Sequence, residues 1–514
     1  MPALTVDRDR GELCILLHSH MPYVEGFGTW PFGEEWLLEA MASSYLPLLG
    51  VLERHAGQGA RGIATVGVTP VLADQLGLPG VAERFLAFMR GTRRECHHED
   101  GAGLERAGHD QAAAALRVSA ADYEHAAQDF ERRGGEILGA LRALRDGGAI
   151  DLWASCATHA VLPLLATDNG VRMQVEAGVE AHTRRFGSWG GGFWLPECAY
   201  RPGVEDHLAR AGVQAFCVDQ TRGGNPLDHL EPIAAGGTVA VPLDWSTVSL
   251  VWDDRGYPSD AVYRDYHAQT VNGVRAWANG GGPYDRDVAH GRAREHAAHF
   301  VQQVMLRADA YRAARARPAL VVCALDTELL GHWWYEGPVW LDAVIAEADR
   351  RGLALATLPE ALSRHEPRRA DVLESTWGTG KDLHTWDAPP VADVVWAARE
   401  SELQLLAALG SRPPGGRAPA ARRAARELLA LQSSDWAFMA SRDLAADYAR
   451  ERVRNHSLAF REALFAIGAS MTDFGPMNGG PHHQGSDERL RGLAPGLELS
   501  PLLAPSSLSQ VGGW

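Results

Sequence analysis

At 514 residues, with 46% hydrophobic and 22% charged side chains, the chain has the composition of a folded protein with room for a large domain and a smaller companion. Its 65 acidic residues outnumber 49 basic ones, a formal charge of −16, which argues against nucleic acid and against an anionic membrane surface as partners, since both demand clustered positive charge. The opening MPALTVDRDRGELC carries mixed charge where a secretory leader would be basic and then apolar, and no apolar run reaches the roughly 18–20 residues that span a bilayer. The six cysteines (Cys14, Cys96, Cys156, Cys198, Cys217, Cys323) are dispersed without a CxxC pair, five of them in or beside apolar runs. Buried free thiols and a reducing cytoplasm are the expectation.

In chain order, short apolar runs of strand character occur at Leu13–Leu17, Gly62–Val68, Ile150–Cys156, Gly192–Leu195, Ala215–Val218, Val239–Val241 and Leu320–Leu325. Between them lie Ala-, Leu-, Glu- and Arg-rich stretches at 34–55, 81–92, 111–147, 170–186, 204–211 and 291–316. This alternation predicts a parallel α/β architecture over residues 1–365, either barrel or open sheet. Polar residues repeatedly follow the runs: His18 and His20, then His159, Glu197, Asp219 and Asp326. A (β/α) barrel collects its site at the carboxyl ends of its strands, whereas an open sheet would show a Gly-rich phosphate loop, and neither GxGxxG nor GxxxxGK[ST] occurs. The barrel is therefore predicted. From 366 to 470 the pattern becomes helical (392–410, 417–432, 442–466), broken by the Pro/Gly loop 411–419, and the Gly-, Pro- and Ser-rich tail 471–514 is expected to be mobile.

Three constellations carry chemistry. In His18-Ser-His20-Met-Pro-Tyr-Val24, residues i and i+2 of an extended strand share a face, so both imidazoles can point into one site. HxH on a first barrel strand also suits substrate binding, structural hydrogen bonding or a metal, with His159 and Asp326 as further ligands for a zinc hydrolase. In Gly191-Gly-Phe-Trp-Leu-Pro-Glu197-Cys-Ala-Tyr200, a carboxylate sits at a strand end among aromatics, where water is excluded. In Asp326-Thr-Glu328-Leu-Leu-Gly-His332-Trp-Trp, a late strand delivers a second carboxylate to a polar and aromatic cluster, part of which can instead cap the next helix. Two carboxylates on different strand ends, in a chain whose 16 tryptophans outnumber its 13 phenylalanines, suit cleavage of a glycosidic bond.

These motifs resemble glycoside hydrolase family 57, in particular its 1,4-α-glucan branching enzyme group. The resemblance rests on the three segments above together with Cys156-Ala-Thr-His159, Leu162-Pro-Leu-Leu165 and Gln432-Ser-Ser-Asp435-Trp436, in order over nearly the whole chain. It implies an incomplete (β/α)7 TIM-like barrel with a small insertion, placed around 198–245, and a C-terminal α-helical domain contributing to the site. It further implies retaining double displacement on α-1,4-glucan with Glu197 as nucleophile and Asp326 as acid/base, and transfer to a 6-hydroxyl. His18, His20, His159 and Asp435 would bind hydroxyls around the scissile sugar, and Trp252, Arg264, Trp377 and Trp386 would add walls or subsites. No metal and no other cofactor is implied. Two departures stand out. Arg201–Gly256 holds no tyrosine where the branching group carries one on a loop, and Lys381 stands where the family more often has glycine. The missing tyrosine keeps two alternatives open, an α-glucan hydrolase or 4-α-glucanotransferase on the same site; a weakly active glucan-binding protein is a third.

Overall fold

The computed structural model describes residues 7–29, 31–410, 418–469, 490 and 492–503. The strands are β1 (Gly11–Ser19), β2 (Ala64–Val68), β3 (Ile150–Ser155), β4 (Gly192–Trp194), β5 (Ala215–Val218), β6 (Ile233–Ala235), β7 (Thr238–Pro242), β8 (Ala319–Asp326) and β9 (Ala354–Leu355). They form one sheet in the order β6-β7-β5-β4-β3-β2-β1-β8, and β9 pairs with the first residues of β1. All neighbours are parallel except the β6–β7 ribbon. Setting that ribbon strand and β9 aside leaves seven parallel strands among the described residues, as the barrel reading requires. β7 and β8 do not pair as a ladder; instead the Asp244 N–H donates to the Val322 carbonyl at 2.9 Å and draws the open sides together.

The strands are apolar on both faces because parallel strands of a barrel are covered inside and out. β1 is buried at every position. Its odd-numbered residues Leu13, Ile15 and Leu17 join the core beneath the outer helices, whereas Cys14 and Leu16 meet Trp153, Cys217 and Val322 in the barrel interior. This is the period-two alternation of a strand. The helix Asp168–Phe186 packs closely on β3 through Gly178, where a Cβ would come within 2.1 Å of the Ser155 carbonyl oxygen. A glycine in mid-helix weakens the helix, so its use there follows from the close approach.

Two expectations are revised. Residues 198–245 are not an insertion: they contain β5 and β7, two of the parallel strands, too short to stand out from sequence. The long excursions lie instead between β2 and β3, with the helix Asp110–Arg132, and between Trp252 and Arg286. The loop 411–419 lies mostly outside the described residues, as do 470–489, 491 and 504–514 of the tail. Within that tail, however, Leu490, Leu493, Leu497, Leu499 and Leu502 are buried, and the Ala494 N–H donates to Asp74 Oδ2 at 2.8 Å. Glycine and proline content concealed a leucine pattern that docks on the core.

The helices Ala392–Leu409, Ala418–Leu431, Ser434–Ser441 and Tyr448–Ala469 form the C-terminal unit. Its core is shared with the barrel: Leu405, Leu428 and Phe460 cluster with Tyr23, Val71 and Met173. Fully buried Glu402 ties the two together, accepting from Thr167 Oγ1 at 2.6 Å, the Ala166 N–H at 3.2 Å and Gln432 Nε2 at 3.0 Å. Among the described residues no helix is long and apolar enough to cross a membrane. Glu402→Ala strands these buried donors, and is expected to lower unfolding free energy by about 2–4 kcal/mol. Chemical denaturation followed by tryptophan fluorescence measures it; an unchanged midpoint would contradict the role given to Glu402.

Candidate active site

β1 and β8 run in register with His18 opposite Asp326, so the first histidine and the second carboxylate are neighbours at one rim. The His18 ring stacks on Trp194 at 4.4 Å, and its Nε2 lies 3.0 Å from His159 Nε2. His159, which follows β3, stacks on His20 at 4.0 Å and places Nδ1 2.9 Å from Ser434 Oγ and 3.7 Å from Glu197 Oε1. Backbone register thus joins Asp326 to His18, and side-chain contacts lead from His18 through His159 to Glu197. The two carboxyls, 129 positions apart in the chain, lie close enough at the strand ends for the charge of Glu197 to act on Asp326.

Glu197 is presented by an uncommon backbone. Glu197 and Cys198 have φ of 58° and 47°, and His159 also lies at 58°. Left-handed conformations in non-glycine residues cost about 1–2 kcal/mol each, so the surroundings must hold them. An extended segment supplies that hold: the Tyr200 N–H donates to the Ser375 carbonyl at 2.9 Å and the Trp377 N–H to the Glu197 carbonyl at 3.0 Å. From the same segment, Trp377 Nε1 donates to Glu197 Oε2 at 3.0 Å.

The charges divide into unlike groups. Burial works against the His20 cation, yet Asp435, bonded to its Nε2 at 3.0 and 3.1 Å, together with Glu328 and Glu197 raises its pKa. Burial likewise works against the Asp435 carboxylate, and His20, His159 and Ser433 overrule it, bringing Asp435 down to about 2. His18 and His159 are held neutral, far below the usual histidine range, by burial and by the neighbouring His20. Burial, then the like charges of Glu328 and Glu197, holds the Asp326 carboxyl well above its ordinary range. Burial also raises Glu197, opposed by hydrogen bonds from Trp377 and Ser434 and by His20. Burial lifts Glu328 to about 7 although Tyr45 donates to it at 2.5 Å and the His20 N–H at 3.1 Å. Both carboxyls are thus biased toward the proton, Asp326 the more strongly, while Glu197 has hydrogen-bond donors and the His20 charge to oppose its rise.

Trp245, Trp252, Trp377, Trp386, Phe438 and Arg442 line a groove that reaches Glu197. Trp252 and Trp377 lie nearly parallel, centroids 6.3 Å apart, and Trp252 is 43% exposed. Such flat faces match the apolar faces of sugar rings. Trp386 is buried behind Gly378, where a Cβ would come within 2.8 Å of the indole.

The structure thus brings together His18, His20, His159, Glu197, Asp326, Asp435, Trp252, Trp377 and Trp386. Arg264 does not join them. Its guanidinium lies 3.4 Å over the Tyr335 ring and bonds Ser119 Oγ at 3.3 Å, while its backbone N–H donates to Glu336. The segment after Trp252 folds back on the helix Asp110–Arg132 and carries Arg264 into a structural cluster. Sequence reading missed Thr69, which bonds His20 Nδ1 at 3.1 Å, and Ser434, which bonds His159. Thr69 directly follows β2 and fits the rule that polar residues after strand runs face the site, whereas Ser434 opens a helix of the C-terminal unit; serine and threonine are too common at such places to stand out.

Fold and site together define a carbohydrate-active (β/α) barrel enzyme. The profile of glycosyl hydrolase family 57 matches residues 14–374, and that of the 1,4-alpha-glucan branching enzyme C-terminal region matches 396–473. The chain belongs to glycosyl hydrolase family 57. It is 34% identical over 502 residues to a probable 1,4-alpha-glucan branching enzyme of Mycobacterium tuberculosis, covering 90% of this chain and 93% of the relative. It is 33% identical over 499 residues to the 1,4-alpha-glucan branching enzyme of Thermococcus kodakarensis, covering 88% and 73%. The crystal structure of a GH57-type branching enzyme from Pyrococcus horikoshii superposes with a TM-score of 0.89 at 29% identity, covering 96% of this chain and 97% of that one.

The raised Asp326 carboxyl has a consequence for stability. A carboxyl whose folded pKa exceeds its unfolded value of about 3.8 keeps a proton that the unfolded chain has released, so it disfavours folding increasingly as pH rises from about 4 toward the folded pKa. Asp326→Asn removes that penalty. The variant is expected to melt above the parent at pH 7.5, with the gap closing toward pH 4. Thermal melts across this range check it, and a gap that is constant or widens on acidification would refute the electrostatic account.

Proposed function

We propose that the chain is a 1,4-α-glucan branching enzyme that cleaves an α-1,4 bond with Glu197 as nucleophile and Asp326 as acid/base, then transfers the cleaved segment to a 6-hydroxyl. The observation that supports this assignment of roles is the unequal protonation bias of two carboxyls at one aromatic-walled mouth: burial and like charges hold Asp326 well above its ordinary range, whereas hydrogen bonds from Trp377 and Ser434 and the charge of His20 oppose the rise of Glu197. Ionised Glu197 attacks the anomeric carbon of the donor sugar, and protonated Asp326 gives its proton to the departing glycosidic oxygen. Once Glu197 is esterified its negative charge is gone. One of the charges that raised Asp326 then vanishes, its pKa falls, and it is ready to take the proton of the acceptor hydroxyl. His18, His159 and the His20–Asp435 pair surround the reacting sugar with donors and acceptors for its hydroxyls. The groove walled by Trp252 and Trp377, with Trp386 buried behind it, holds neighbouring glucose units.

The acceptor is a glycogen-like or amylose-like α-glucan in this proposal, and the compartment is the cytoplasm. Six free cysteines, five of them buried, fit a reducing environment. A larger hydrolytic share is the second reading, favoured by the loop that follows β5. It carries no tyrosine and is tied down to the helix Arg286–Arg315, with Arg307 donating to the Pro226 carbonyl at 2.6 Å and Arg315 pairing with Asp228 at 2.5 Å. A loop held there leaves the intermediate more open to water.

Incubation with linear amylose separates the readings. Branching lowers iodine absorbance with few new reducing ends, hydrolysis produces many, and a binding protein changes neither. Linkage analysis of the product is expected to show new α-1,6 bonds. Glu197→Gln and Asp326→Asn are each expected to cut turnover by several orders of magnitude, as loss of a covalent or proton-transfer group does. Near-parental activity in either variant would overturn the assignment. Activity is expected to persist in chelator, and complete loss reversed by zinc would revive the metal reading of the histidines.

A further inference from the structure

We propose that Lys381 is a positioning residue for the nucleophile, holding the Trp377 indole against Glu197 through a clamp on Asp219 and Trp245. The proposal rests on the reading of Glu197 as nucleophile and adds a residue that touches neither sugar nor reacting atoms. Lys381 ends a tight turn in which its N–H donates to the Gly378 carbonyl at 3.0 Å and the Thr376 N–H donates to its carbonyl at 3.3 Å. Its φ of 58° and the 79° of Gly380 are left-handed, a backbone that ordinarily selects glycine. A lysine kept in that conformation has its side chain fully engaged. Nζ lies 2.8 Å from Asp219 Oδ2, 3.3 Å from the centre of the Trp245 ring and 3.3 Å from the Trp377 carbonyl oxygen.

Asp219, just past β5, is fully buried, and its Oδ1 is already occupied by the N–H and hydroxyl of Thr221. The remaining oxygen depends on the lysine for its ion pair. The Asp219 carbonyl also accepts from Ser375 Oγ, so one residue of the barrel grips both ends of the 375–381 segment. Trp245 opens the helix that follows β7. The ammonium therefore joins two strand ends to the turn that carries Trp377, whose Nε1 supplies a hydrogen bond to Glu197. Loosening the turn weakens that bond and leaves Glu197 easier to protonate.

Glu197 is also faced by His20 beyond β1, His159 beyond β3, Asp326 of β8, and Ser434 and Asp435 of the helix Ser434–Ser441. Lys381 reaches it through Trp377, so the test is the acidic limb of the kcat/KM profile on amylose. Lys381→Met is expected to move that limb upward by about half a pH unit, and Trp377→Phe by about one, the scale of one hydrogen bond to a charged group. Lys381→Arg is expected to restore the parental limb, and Lys381→Met is expected to add nothing in the Trp377→Phe background. Should Lys381→Met fail to fold with Asp219 left unpaired, the double variant Asp219→Asn/Lys381→Met removes both charges and is read in the same way. An unmoved limb, or a shift additive with Trp377→Phe, overturns the clamp. Glu197→Gln keeps the two readings separate: an active Glu197→Gln enzyme defeats the nucleophile assignment itself, whereas an inactive one beside an unmoved Lys381→Met limb defeats the clamp alone.

Discussion

The contact between His20 and Asp435 joins a histidine just beyond the first strand to a carboxylate on a helix more than four hundred residues later, and it seals the C-terminal unit over the barrel mouth. Both partners are largely withdrawn from water, so each charge is kept only because the other is present. That single pair organises the histidine stack. A charged His20 lowers its neighbours His18 and His159, which stay neutral and face each other through their Nε2 atoms. The helix that bears Asp435 also brings Ser434 to His159, so the nucleophile's surroundings are completed by the second unit, not by the barrel alone.

Desolvation is the common cause of the site's unusual acidities, and the local partners decide where it prevails. Asp326 has like charges nearby and keeps its proton. Asp435 has a cation and the Ser433 hydroxyl as partners and surrenders it. Glu197 lies between these extremes, pushed up by burial and pulled back by donors on two different segments. A site of this kind needs its donors rigidly placed, because a hydrogen bond to a carboxylate fades steeply with poor geometry. The left-handed turns at His159, Glu197 and Lys381 show where the chain accepts backbone strain to achieve that placement.

Much of this was legible in one dimension. Apolar runs followed by His18, His20, His159, Glu197 and Asp326 pointed to a barrel mouth, because strand ends and site coincide in that architecture. Aromatic neighbours around Glu197 marked it as shielded. Misreadings occurred where sequence patterns are weakest. The four-residue β5 passed for part of an insertion, the docked leucines between Leu490 and Leu502 passed for part of a mobile tail, and Arg264 was taken for a subsite residue although a long excursion carries it to Tyr335.

Residue identity by itself determined which side chains were chemically able to act, and the order of strands and helices that could carry them. It also set the family, since ordered motifs survive without reference to coordinates. Only the tertiary structure decided that Asp326 stands beside His18 in register, that Trp377 and Ser434 converge on Glu197, and that Lys381 closes on Asp219. The reason is physical. Pairings across 162 to 415 positions are set by how the sheet closes and how the helical unit docks, and burial, which moves every acidity in the site, is a property of that packing and of no residue alone.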